Sequence, residues 1–169
     1  MMNVIARRPM LERMRHAALL DAHTYEEVEA DTGATGQAAT VVAIVAVSQG
    51  IGAAGLGLSG LLGAVIAALL GWLLWSGVTY LIGDKILGGT ATWGELLRTI
   101  GFAQTPGVFG ALALLPVVGG VVRFVLAIWV LAAGIIAIRQ ALDFGTGKAI
   151  LTALLGWLAL AIPMALLSG

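Results

Sequence analysis

Between Asp31 and Asp84 the chain runs for 52 residues without an Asp, Glu, Lys or Arg. One helix needs about 20 residues to cross a hydrocarbon layer of about 30 Å, so this stretch has room for two crossings and has to fold back on itself. The pair Ser59-Gly60 is the expected turn, with spans over 39–58 and 61–82. After a polar connection at 83–98, further apolar runs predict spans over 100–118, 119–138 and 149–167. Of the 169 residues, 60% are apolar and 11% charged, against roughly 45–50% and about 25% in soluble domains. So few charges cannot cover a water-facing surface. The predicted fold class is all-α: a polytopic membrane helix bundle with five transmembrane helices over 38–169, preceded by an amphipathic cytoplasmic segment over 1–37.

The third run differs from the others. It carries Gln104, Thr105 and Pro106 near its start and Pro116 near its end. Proline removes a backbone donor, and in lipid the freed carbonyls must find partners inside the protein. A four-span arrangement with 99–118 re-entrant is the alternative. The first run is also diluted, by Ser48, Gln49, Gly50, Gly52, Gly55 and Gly57, which suits a helix packed among others.

Lys and Arg set the orientation. With the N-terminus cytoplasmic, Arg7, Arg8, Arg13, Arg15, Lys85, Arg98, Arg139 and Lys148 fall on the cytoplasmic side and only Arg123 towards the other, the bias of the positive-inside rule. The uncharged end Leu166-Leu167-Ser168-Gly169 then crosses to the opposite side. The N-terminal segment reads neither as a signal peptide nor as a span, because Glu12, Asp21, Glu26, Glu27, Glu29 and Asp31 separate its arginines from the apolar run. Leu11, Met14, Ala18, Ala22 and Tyr25 recur at helical spacing as one apolar stripe. Thr24 with Glu27 reads as a capping box. Amphipathic segments over 9–30 are therefore expected on the membrane surface or against the cytoplasmic loops.

The motifs carry little chemistry. Gly50-Ile51-Gly52-Ala53-Ala54-Gly55 matches the dinucleotide pattern by letter, but the next acid is Asp84, a whole span away, and no soluble strand–helix unit surrounds it. Gly50, Gly55, Gly60 and Gly63 read instead as small residues that let helices approach. Gly145-Thr146-Gly147-Lys148 lacks the upstream glycine of a phosphate loop. His16 and His23 lie seven apart, about 10 Å along a helix, too far to share one metal ion. With no cysteine and zero net charge, neither a metal, a cofactor nor nucleic acid is an expected partner.

Arg123 stands about one turn inside the fourth span. It reads as an anchor that snorkels outward, or as a contact to lipid phosphate or a partner subunit. Ser48-Gln49 and Gln104-Thr105 are the other intramembrane polar candidates, as interhelix hydrogen bonds or as the lining of a polar path. Trp72 and Trp75 are expected to pack, Tyr80 and Trp93 to sit at the interface. Over 90–101, Trp93, Leu96, Leu97 and Ile100 oppose Glu95 and Arg98, which predicts a short surface helix with Trp93, Glu95 and Arg98 interfacial.

The stretch Gly88-Gly89-Thr90-Ala91-Thr92-Trp93-Gly94-Glu95-Leu96-Leu97-Arg98, running on to Gln104-Thr105-Pro106, resembles the loop and third-helix entrance of bacterial members of the Yip1 family. Leu114-Leu115-Pro116-Val117-Val118-Gly119, the helix around Trp129, and His23-Thr24-Tyr25-Glu26-Glu27-Val28 are similar to that family as well. The resemblance implies five membrane helices and a cytoplasmic N-terminus. Eukaryotic relatives act in vesicle traffic and associate with prenylated small GTPases, but the Asp-Leu-Tyr-Gly-Pro motif and long N-terminal arm of those relatives are lacking, so GTPase binding is not carried over.

With no paired acids, Ser/His pair or His cluster inside the expected spans, the chain reads as non-catalytic. The expected function is membrane organisation or partner binding in a bacterial cytoplasmic (inner) membrane, with the lipid bilayer and other membrane proteins or itself as partners. The alternatives are lipid or small-solute translocation through a groove lined by Gln49, Gln104, Thr105 and Arg123, and an accessory subunit of a larger membrane complex.

Overall fold

The computed structural model describes residues 8–52 and 57–168, with side chains through Ile162. Among the described residues there are seven α-helices and no strand. A short hairpin of α1 (Met10–Ala18) and α2 (Ala22–Ala30) precedes α3 (Ala34–Gly52). Next comes α4 (Leu58–Tyr80), which widens into a π-helical segment, Leu81–Ile86. The chain continues through α5 (Trp93–Ala103), a 3-10 helix (Thr105–Leu114), α6 (Gly119–Ala141) and α7 (Thr146–Ser168).

Three of these helices are long and apolar enough to cross a membrane: α3, α4 with its π extension, and α6. Over the stretch of α7 whose side chains are described, Thr146–Ile162, the helix is apolar but shorter. Two expectations are corrected. Ser59 and Gly60 stand in the first turn of α4 rather than in a turn between helices, because α4 already starts at Leu58 behind Gly57. Residues 100–118 do not form one α-helix. The ladder tightens to 3-10 geometry at Thr105-Pro106, where proline cannot donate a backbone hydrogen bond.

A 3-10 run of 10 residues is long for a geometry seldom held beyond three or four, and α3 supports it. The Ser48 hydroxyl donates to the Val108 carbonyl at 2.6 Å and accepts from the Ala111 amide at 3.0 Å, bridging two groups one 3-10 turn apart. Glycines let the backbones meet. A Cβ at Gly52 would stand 2.1 Å from the Gly110 carbonyl oxygen, and one at Gly101 would stand 2.7 Å from the Ala38 Cβ. Gly101 faces Ala38, Gly107 faces Val45 and Gly110 faces Gln49, so α3 and the α5/3-10 segment run parallel.

The N-terminal hairpin is not one continuous stripe. Leu20 takes φ 63° and closes α1 in a left-handed turn, in which the Asp21 amide donates to the His16 carbonyl at 3.1 Å. The buried face is thereby reset: Arg13, Met14 and Ala17 point inward on α1, whereas Leu11 is exposed. α2 starts at Asp21, whose carboxylate accepts from the His23 amide and the Thr24 hydroxyl, so Thr24 is not the cap.

Gly52→Ala forces a methyl group into a backbone carbonyl. Overpacking of this kind costs about 1–3 kcal/mol. The expected outcome is a lowered melting temperature in detergent, with Gly63→Ala unchanged, because a Cβ at Gly63 meets nothing within 4 Å.

Candidate functional site

Two regions carry the polar residues: a groove inside the bundle and a clasp at its charged end. The groove consists of three cavities joined by shared walls. One, of about 330 Å³, is lined by Gln49, Gly52, Gly110, Arg123, Ala127 and Val130 among others. A second, of about 280 Å³, shares Ala127 and Val130 and adds Gln104, Trp75, Gly134 and Ile138. A third, of about 250 Å³, holds Gln49 and Gln104 together, with Trp72 and Trp75. Neither glutamine side chain makes a hydrogen bond among the described residues. Arg123 donates to the Gly52 carbonyl at 3.2 Å, tying the start of α6 to the end of α3.

The structure thus brings Gln49, Gln104 and Arg123 to neighbouring cavities that share lining residues, but not Thr105. The Thr105 hydroxyl is buried and donates to the Phe102 carbonyl at 2.6 Å. Trp72 is buried and donates its indole N–H to the Leu97 carbonyl at 3.0 Å, and Trp75 lines the groove. Gly50 is buried, Gly60 half-buried and Gly63 exposed. Gly55 lies outside the described residues.

At the charged end α5 is an internal helix, not a surface one. Every residue from Leu96 to Ala103 is buried, and Arg98, expected on an exposed face, is 6% exposed. Its spacing from Glu95, opposite Trp93, Leu96, Leu97 and Ile100, predicts an outward position. Its guanidinium instead donates from Nε to the Val28 and Glu29 carbonyls at 3.0 Å, and from Nη2 to Glu29. Those carbonyls belong to the last turn of α2, which has no intrahelical donors for them. Glu95 closes a capping box with Thr92, accepting from the Thr92 amide at 2.7 Å. Trp93 is exposed, and its ring lies against Gly77 of α4.

The second member of the clasp is Arg13, 1% exposed. It donates to Glu27 at 2.9 Å, to Asp31 at 2.9 Å and to Gln37 at 3.1 Å, and Arg8 adds a second bond to Glu27. Sequence reasoning missed Arg13, since nothing in composition separates it from Arg7, Arg8 or Arg15. The one available signal is its place beside Met14 and four residues before Ala17. Trp129 was also missed: it donates to the Ala18 carbonyl at 2.7 Å and stacks on Phe109, seating the end of α1 on α6. Of the two histidines, His16 faces Asp21 and His23 faces Glu26. No group of three His, Cys, Asp or Glu converges among the described residues.

The clasp holds acids of two kinds. Glu27 and Asp21 lie below the usual carboxylate range: burial opposes this, but hydrogen bonds from arginine to Glu27, and from Thr24 and the His23 amide to Asp21, outweigh it. Glu29 goes the other way. Burial first, then the Glu95 and Asp143 carboxylates, push it up to about 7, against the pull of Arg98.

Two outcomes follow for the docked hairpin. Arg98→Met leaves two buried carbonyls without a donor, at about 1–3 kcal/mol each, and α1–α2 should become the first segment cut in limited proteolysis. For Glu29, the docked state holds a proton between pH 4.5 and about 7 that the undocked state has lost, so docking weakens as pH rises through that window. Hydrogen exchange of α2 should be faster at pH 8 than at pH 5.5 after correction for intrinsic rates, and Glu29→Gln should flatten the difference.

The family model for the Yip1 domain matches residues 21–167, from the cap of α2 to the end of α7. No curated protein and no solved structure matches. The matched span takes in α2 and the whole helical bundle, and the chain belongs to the Yip1 domain family.

Proposed function

We infer that this is a non-catalytic membrane protein that organises partners in the bilayer, with its N-terminus cytoplasmic, in a bacterial inner membrane. The carrying observation is the large share of apolar helix surface unused inside the chain. Only 11% of the spanning window of α4 and 17% of that of α6 are buried, and Gly63 lies open on α4 with no neighbour within 4 Å of a Cβ. Small residues on an exposed helix favour close approach by another helix. The docked α1–α2 hairpin gives the same protein a charged face.

Five crossings fit the parallel course of α3 and the α5/3-10 segment. From residue 100 onward, where the third span is expected, the last four residues of α5 and the 10 of the 3-10 helix extend about 26 Å by helical rise, close to a layer of about 30 Å. The C-terminus then lies opposite the N-terminus, and the surplus of Lys and Arg falls on the cytoplasmic side.

The test is mild-detergent extraction of the full chain, followed by sizing and mass spectrometry. A homo-oligomer or fixed-stoichiometry complex is expected, with Gly63→Leu dispersing it at unchanged melting temperature. A lone monomer for both proteins would overturn the reading, and a single multi-subunit complex would identify an accessory subunit. A second reading, lipid or small-solute translocation, is supported by the connected cavities holding Gln49, Gln104 and Arg123. It predicts flux in proteoliposomes that falls with Arg123→Ala.

A further inference from the structure

On α6, Arg123, Ala127, Val130 and Gly134 follow one another at steps of four, three and four residues, so they form a single face. That face lines the first two cavities along their length. The small side chains of Ala127 and Gly134 leave the groove open, and a Cβ at Gly134 meets nothing within 4 Å. The distance from Arg123 to Gly134 is about 16 Å by helical rise, comparable with an acyl chain.

Among the described residues the charge at the mouth has no counter-ion. Arg123 makes no ion pair among the described residues, and it is exposed. Every Asp and Glu lies within 1–31 or at 84, 95 and 143. One guanidinium N–H is committed to the Gly52 carbonyl, out of the five donors such a group carries. The unpaired Gln49 amide lines the same cavity. A cation whose remaining donors no described residue takes, at the mouth of an apolar groove, is complementary to one membrane component, an anionic head on an apolar chain.

We propose that this groove is a glycerophospholipid site, in which Arg123 and Gln49 hold the phosphate diester and one acyl chain lies along Ala127, Val130 and Gly134. The site rests on α6 spanning the membrane and is independent of whether the chain assembles with partners.

The test uses the full chain in mild detergent, with phosphatidylglycerol as the probe and bound lipid counted by native mass spectrometry. The wild type is expected to retain one phospholipid. Arg123→Gln should lower retention by roughly tenfold or more, and Arg123→Lys by less, because lysine keeps the charge but not the fork. Gly134→Leu fills the groove without touching the charge and should lower retention similarly, at an unchanged melting temperature. Diacylglycerol, which lacks the phosphate, should not be retained. Equal retention by Arg123→Gln or by Gly134→Leu, equal retention of diacylglycerol, or stripping of the lipid by inorganic phosphate would each overturn the proposal. Oligomeric state, measured on the same samples, should not change with Arg123→Gln, which separates this test from that of partner binding.

Discussion

Where water is scarce, every backbone carbonyl and amide needs a partner from the chain itself, and side chains from distant segments supply several of them. Ser48 serves the 3-10 helix from α3. Trp72 reaches the Leu97 carbonyl of α5, Trp129 the Ala18 carbonyl at the end of α1, and Arg98 the last carbonyls of α2. Each bond joins two elements far apart in sequence, so meeting the local demand of a helix end or an irregular helix also fixes the tertiary arrangement. The 3-10 segment shows this most directly: its tight ladder begins at a proline, and α3 can approach it only because Gly52, Gly107 and Gly110 have no side chains to clash.

The same logic brings charges inside. Arg13 and Arg98 are both nearly buried, yet they are satisfied differently. Arg13 neutralises Glu27 and Asp31 with good geometry, an arrangement in which removing one partner costs far more than the pair contributes. Arg98 meets carbonyl oxygens rather than carboxylates, so its charge complements the negative end of the α2 dipole. Together they make the hairpin part of the bundle, with Glu29, raised by burial and by the Glu95 and Asp143 charges, as its titrating member.

The functional reading follows from what these interactions leave unused. The helix-end carbonyls of α1 and α2 and the 3-10 ladder are served, while the outer faces of α4 and α6 and the groove from Arg123 to Gly134 remain open. An uncovered apolar helix face in a membrane suits lipid or another helix, and the groove carries a cation where a head-group phosphate would lie. What both features offer a partner is apolar surface, with one cation beside it.

The sequence by itself determined the solvent and the class. A charge-free run of 52 residues fits only a chain that folds back within lipid, and a proline next to two polar residues marked the third segment as irregular. Gln49, Gln104 and Arg123 stand out in the sequence as polar residues within apolar runs, since such residues are costly in a membrane. Tertiary structure decided which of them line the same cavities, while Thr105 bonds back to the Phe102 carbonyl of α5. It also placed Arg98 and Arg13 inside and set which glycines meet a neighbouring backbone. These outcomes depend on the approach of segments distant in the chain. A period of 3.6 residues says which side chains share a face, but not what that face meets. Leu20 illustrates the limit: one residue in a left-handed turn rotates the buried face of α1 away from the stripe its spacing implied, because helical phase does not continue across a break in the backbone.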